Sequence, residues 1–110
     1  MGITKNHIFN DEQKEAATIT KVLGHPARIA IIQHLSTHAN SNCNDLVKAI
    51  GLAQPTISQH LSEIKRANLL QQKSVGKNIF YTVNVDRLNQ CRRIVNDFFV
   101  KVQVNCSQKG

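Results

Sequence analysis

The sequence has no tryptophan, and aromatic residues make up only 5% of its 110 positions. A core built from it must be aliphatic and modest, enough for one domain. No apolar run approaches the roughly 18 residues that would suggest a membrane span. Cysteine is scarce: three residues, an odd number and widely spaced, are unlike a disulfide framework. That points to a reducing cytoplasm. No internal repeat and no low-complexity stretch stands out. The opening MGITKNHIFNDEQK lacks an apolar h-region, so no secretory signal is expected. Asn6 stands where the myristoylation pattern wants Ser or Thr, so no lipid anchor is expected either. Acidic residues are few, seven against 14 Lys and Arg, leaving a formal net charge of +7. A small domain this basic suggests a polyanionic partner, nucleic acid first and an anionic membrane surface second. Solubility alone is the plain competing explanation.

What is present is a run of capped amphipathic segments. Asn10 with Gln13 three residues on forms a capping box, predicting a helix through Leu23. Gly24-His25-Pro26 breaks the chain and restarts it, since Pro is favoured in a first helical turn. The helix that follows, 26–35, carries Ile29, Ile31, Ile32 and Leu35, and THANSN (37–42) reads as a polar loop. Asn42 and Asp45 make a second capping pair ahead of Cys43, Leu46, Val47 and Ile50, spaced i, i+3, i+4, i+7. Gly51 then ends a short helix as Gly commonly does, and Pro55 opens the next. A short helix, a Gly-containing turn and a second helix is the helix-turn-helix arrangement.

In that second helix Ile57, Leu61 and Ile64 share one face. The outward arc then holds Thr56, Gln59, Ser62, Glu63 and Arg66, flanked by Ser58 and His60. Short hydroxyls and amides near a helix N-terminus suit base edges in a major groove, and Gln59 suits adenine. Lys65 and Arg66 lie further along, where phosphates would be reached. An ordinary amphipathic surface helix is the competing reading of this pattern taken alone. After Leu69 the period becomes two: LLQQK and IFYTV flank SVGKN, predicting a hairpin with Lys73 and Lys77 around Gly76. A hairpin directly after such a helix is a wing. From Gln54 to Thr82, Lys65, Arg66, Lys73 and Lys77 face only Glu63, a net of +3. Asp86 is the expected cap of a final helix, 87–105. There Leu88, Cys91, Val95, Phe98 and Val102 step by three and four, a seam of about two and a half heptads.

The segments LGHPARIAIIQHL (23–35), NDLVKAIGLAQPTISQHLSEIKRANLL (44–70) and the VGKNIFYTV wing resemble the ArsR/SmtB family of bacterial winged-helix repressors. The resemblance covers about residues 15–105 in the family's element order. It implies a mainly α, winged helix-turn-helix fold of about five helices plus two antiparallel strands. It also implies a homodimer paired through the first and last helices (9–23 and 86–105), around a helix-turn-helix at 42–69 and a wing at 70–83. The whole chain, 1–110, is then a single DNA-binding domain. Such a protein represses transcription from a double-stranded operator until an effector binds. The expected DNA-facing residues are Gln54, Thr56, Ser58, Gln59, His60, Lys65, Arg66, Lys73 and Lys77. The expected dimer seam is Leu88, Cys91, Val95, Phe98 and Val102.

The family's sensor sites do not carry over. Many arsenic- and metal-sensing members resemble ELCVCDL at the start of the third helix. Here Asn42 and Asn44 fall at the two cysteine positions, with Cys43 between them in phase with the core. Cys43 reads as a core thiol rather than a ligand. Zinc-sensing members use carboxylates and histidines on the last helix, which has no His here, only Asp86 and Asp97. His25 belongs to a helix start, and His34 with His38 is an i, i+4 pair lacking a third ligand. Cys91 and Cys106, fifteen residues apart, stand about 22 Å apart along a helix. No metal, cofactor or catalytic residue is expected. An enzyme would need a nucleophile beside a base, and only Cys43 with some histidine offers one, against its apolar phase. A thiol-redox regulator acting through Cys91 or Cys106 is one rival function for such a chain. A protein-interaction module that has lost DNA binding is the second.

Overall fold

Most helices begin where a side chain can satisfy their first amides. In the computed structural model, which describes residues 8–109, the order is α1 (Asp11–Leu23), α2 (Pro26–Thr37), α3 (Cys43–Ile50), α4 (Gln54–Arg66), β1 (Leu70–Val75), β2 (Asn78–Val83) and α5 (Val85–Lys109). The expectations for the opening segment, Asn6 included, lie outside the described residues. Asn10 Oδ1 accepts from the Gln13 amide at 2.8 Å while Gln13 Oε1 accepts from the Asn10 amide at 2.9 Å. Asn42 and Asp45 repeat this exchange at 2.8 and 3.0 Å. Each such cap typically contributes about 1 kcal/mol. α4 starts from Ala53 without a side-chain cap, with Pro55 in its first turn.

The last helix departs from expectation at both ends. Asn84, not Asp86, is the cap: its Oδ1 accepts from the Arg87 amide at 3.3 Å, so the helix starts at Val85. At the far end it runs on to Lys109 rather than stopping near 105, because nothing between Val102 and Ser107 breaks it. Its 25 residues make a rod of about 37 Å.

The core is aliphatic, as a chain without tryptophan requires. Ile31, Leu46, Ile57 and Ile64 are sealed from water, joined by Ile19, Leu35, Leu61, Leu69 and Leu70. Each such side chain stabilises the fold by about 1.5–3 kcal/mol relative to leaving it exposed. Gly51 makes the tight turn between α3 and α4 at φ 86°, where its amide donates to Val47 O at 2.9 Å. A Cβ there would meet nothing within 4 Å. The position therefore selects glycine for backbone conformation rather than for space.

β1 and β2 pair antiparallel from Leu70↔Val83 to Val75↔Asn78. Gly76 turns them at φ 61°, the left-handed first turn residue of a tight hairpin. The 37–42 loop is less irregular than its composition suggests. The Asn40 amide donates to Tyr81 O at 3.1 Å and the Tyr81 amide to Ser41 O at 2.9 Å, so the loop edges the hairpin. A knot of bonds ties α5 to the end of α4. Asn84 donates from its amide to Leu69 O (2.9 Å) and from Nδ2 to Asn68 O (3.0 Å), and Arg87 Nε donates to Ala67 O (3.0 Å).

Candidate nucleic-acid interface

α4 has two unlike sides. Ile57, Leu61 and Ile64 face the core, and the opposite arc keeps Gln54, Thr56, Ser58, Gln59, Ser62, Lys65 and Arg66 in solvent. The Arg66 guanidinium lies 3.2 Å from Glu63 Oε1. An exposed pair of this kind is worth at most about 1 kcal/mol and yields readily to a phosphate. Lys73 and Lys77 stand exposed on the wing, one on β1 and one in the turn. Of the nine residues expected to face DNA, eight are thus solvent-facing and lie on α4 or the hairpin.

The ninth is a correction. His60 is only 8% exposed and turns inward between α4 and α2. Arg28 Nε donates to its Nδ1 at 3.1 Å, while Arg28 Nη1 donates to Val22 O at 3.2 Å. The His25 ring lies against it, centroids 4.4 Å apart at 54°, and His25 Nδ1 caps α2 by accepting from the Ala27 amide at 3.1 Å. Burial, with the adjacent His25 and Arg28, pushes the His60 pKa below its ordinary 6.5. At 100° per residue His60 sits on the boundary of the buried arc beside Leu61. The pull inward comes from Arg28, thirty-two residues away in sequence. The HPAR spacing puts Arg28 in the first turn of α2, and that was the available signal for this partner.

One member of the expected seam on α5, Cys91, departs in the same way. Cys91 is only 3% exposed and packs into the core of its own chain. α1 packs against α5, and Ile94 and Val95 are half-buried against the same core, while Leu88 stays exposed. Burial raises the Cys91 thiol pKa above its usual value, disfavouring the thiolate that oxidation needs. Val95 is half-buried, whereas Leu88, Phe98 and Val102 are exposed, Phe98 at 53% and its neighbour Phe99 at 62%. Ala16, Ala17, Thr20, Val95, Phe98 and Val102 line an apolar groove between α1 and α5. The Lys101–Glu12 pair spans the same two helices at 3.2 Å.

Cys43 is half-buried at the edge of the core, its Sγ 3.6 Å from Ser58 Oγ. All three cysteines are free thiols, and Cys106 is exposed. The His34 and His38 rings stack at 4.2 Å and 2°. Among the described residues no group of three His, Cys, Asp or Glu is placed to hold a metal. None of the helices described is long and apolar enough to cross a membrane.

The model described as "Bacterial regulatory protein, arsR family" matches residues 25–72, from the start of α2 into the wing. The arsenical resistance operon repressor of Staphylococcus xylosus is 34% identical over 86 residues, covering 76% of this chain and 82% of that protein. The chain belongs to the ArsR family. A further relative is the transcriptional repressor PagR of Bacillus anthracis, 28% identical over 83 residues (76% of this chain, 83% of PagR). An ArsR-like transcriptional regulator from Rhodococcus sp. RHA1 shares the fold, with a TM-score of 0.73 at 20% identity, covering 87% of this chain and 90% of its own. As an ArsR-family protein the chain is a DNA-binding transcriptional regulator and not an enzyme. The five helices and two-stranded hairpin are the winged helix-turn-helix that the sequence predicts. Of the two positions aligned with sensor cysteines, Asn42 caps α3 and Asn44 is exposed in its first turn.

Proposed function

We propose that the chain is a cytoplasmic, homodimeric repressor that lays α4 into the major groove of a pseudo-palindromic operator and holds the flanking backbone with its wing. Gln54, Thr56, Ser58 and Gln59 are the groove-facing residues, with Gln59 the principal reader of a base edge. Lys65, Arg66, Lys73 and Lys77 hold phosphates, fixing register without choosing sequence. The observation that carries this reading is the division of α4, an apolar inner face locked into the core and an outer arc of short polar side chains beside a cationic hairpin.

Two operator half-sites need two copies. The groove between α1 and α5, with Phe98 and Val102 beside it, supplies a self-complementary apolar strip for a two-fold partner. The test is to select duplexes from a random pool with the purified protein, then measure affinity for the winner and for random DNA by fluorescence anisotropy across salt. A strong preference for the selected duplex, with affinity falling steeply in salt, is expected. Equal affinity for both would overturn the reading.

A further inference from the structure

The cluster of Arg28, His25 and the buried His60 beneath α4 does something that ordinary packing does not require. Arg28 is a half-buried guanidinium with no carboxylate partner among the described residues; its hydrogen bonds go to Val22 O at the end of α1 and to His60 Nδ1 in the middle of α4. One side chain thus joins three helices. For Nδ1 to accept from Arg28 Nε–H, the His60 ring must be neutral with its proton on Nε2. His25 is held the same way, its Nδ1 accepting from Ala27. Both lone pairs are therefore committed, and the two rings touch.

We propose that Arg28 and His60, backed by His25, are positioning residues that set the recognition helix on its domain, and that taking up one proton at this cluster loosens α4 and weakens specific DNA binding in mild acid. The inference rests on the DNA-regulator reading above. A proton arriving from solvent at His60 Nδ1 would turn the acceptor into a donor facing a donor, and place a second cation against the guanidinium. Among the described residues the charged or titratable groups that act on His60 are His25 and Arg28, with no carboxylate to compensate. Ser58 and Gln59 directly precede His60, so a shift of this turn displaces groove-facing side chains directly.

The sign follows from linkage. The folded protein holds His60 below its ordinary pKa of 6.5, mainly through burial. The released state therefore binds the proton more readily. The cluster's contribution is complete above its ordinary value of about 6.5, and it is lost as pH falls through the lower pKa of the folded state. Electrostatics runs the other way, because any positive charge gained in acid strengthens attraction to phosphate in general.

The test uses the full-length protein and a duplex selected from a random pool at pH 7.5. Affinities for that duplex and for random DNA are measured from pH 7.5 to 5.5, with circular dichroism at each step. Wild type is expected to lose affinity for the selected duplex in acid, by at most about tenfold per pH unit for one linked proton. Random-DNA affinity holds or rises. His60→Asn, which keeps an acceptor for Arg28 but cannot titrate, is expected to bind at pH 7.5 and to show a flat profile. His60→Ala is expected to bind weakly at every pH. Should the variants fold poorly, the His60 ring resonance of wild type, followed by NMR, must titrate over the range in which specific affinity falls. The inference is overturned if specific affinity is unchanged or rises in acid, if His60→Asn falls as steeply as wild type, or if the ring titrates outside that range. Failure to prefer any selected duplex at pH 7.5 would instead overturn the regulator reading, and the inference with it.

Discussion

α4 and α5 are both amphipathic, yet they leave opposite remainders. α4 buries Ile57, His60, Leu61 and Ile64 and presents hydroxyls, amides and cations. α5 buries Cys91 and presents Phe98, Phe99, Val100, Val102 and Val104. A polar remainder is at rest in water and needs a partner only for function. An apolar remainder of that size signals a protein partner from the outset. So the same 3.6-residue period leaves a polar arc on one helix, proposed to read DNA, and an apolar strip on the other, proposed to pair two copies, depending on what remains when the domain's own core is full.

Four substitutions test this contrast, beginning with the largest expected effect. Phe98→Asp should weaken dimerisation by about 4 kcal/mol, roughly a thousandfold, as for a central interface residue. Analytical ultracentrifugation would register a shift to monomer with helical content retained, and an unchanged dimer would place the seam elsewhere. Ile57→Ala, on the inner face of α4, should cost about 2–5 kcal/mol in urea denaturation. A loss below 1 kcal/mol, roughly a surface value, would contradict the sealed packing. Gln59→Ala leaves the fold intact and should cost about 1–3 kcal/mol on the selected duplex, relaxing preference at one base pair. Lys77→Ala should weaken selected and random duplexes alike and lower the salt slope by about one. Were these last two to behave identically, the division between a base-reading helix and a phosphate-holding wing would fail.

Much of the fold was readable because its signals are local. Asn10 with Gln13, Asn42 with Asp45, Gly51 and Gly76 each act within four residues of themselves, and each does what its chemistry implies. Ile57, Leu61 and Ile64 announced the inner face of α4 by period alone. The departures share a different cause. His60 is drawn inward by a donor on another helix, Cys91 is covered by α1, and Ser41 is recruited as an edge by Tyr81. In all three, the deciding partner lies far along the chain, where periodicity carries no information. Asp86 lost the cap to Asn84 for a smaller reason: Asn84 already bonds the end of α4, so α5 starts from a residue fixed in place.

The packing of α1 against α5 also has a kinetic consequence. α2, α3 and α4 meet across short turns, whereas Glu12 and Lys101 bring together opposite ends of the chain. Closing so long a loop must wait until its entropy can be offset by contacts already made. The helix-turn-helix is therefore expected to condense first, leaving the terminal helices to dock afterwards on a preformed base. In the proposed dimer, only that late docking completes the strip on which a second copy settles. Stopped-flow refolding should accordingly resolve two phases, the faster indifferent to protein concentration and the slower accelerating with it.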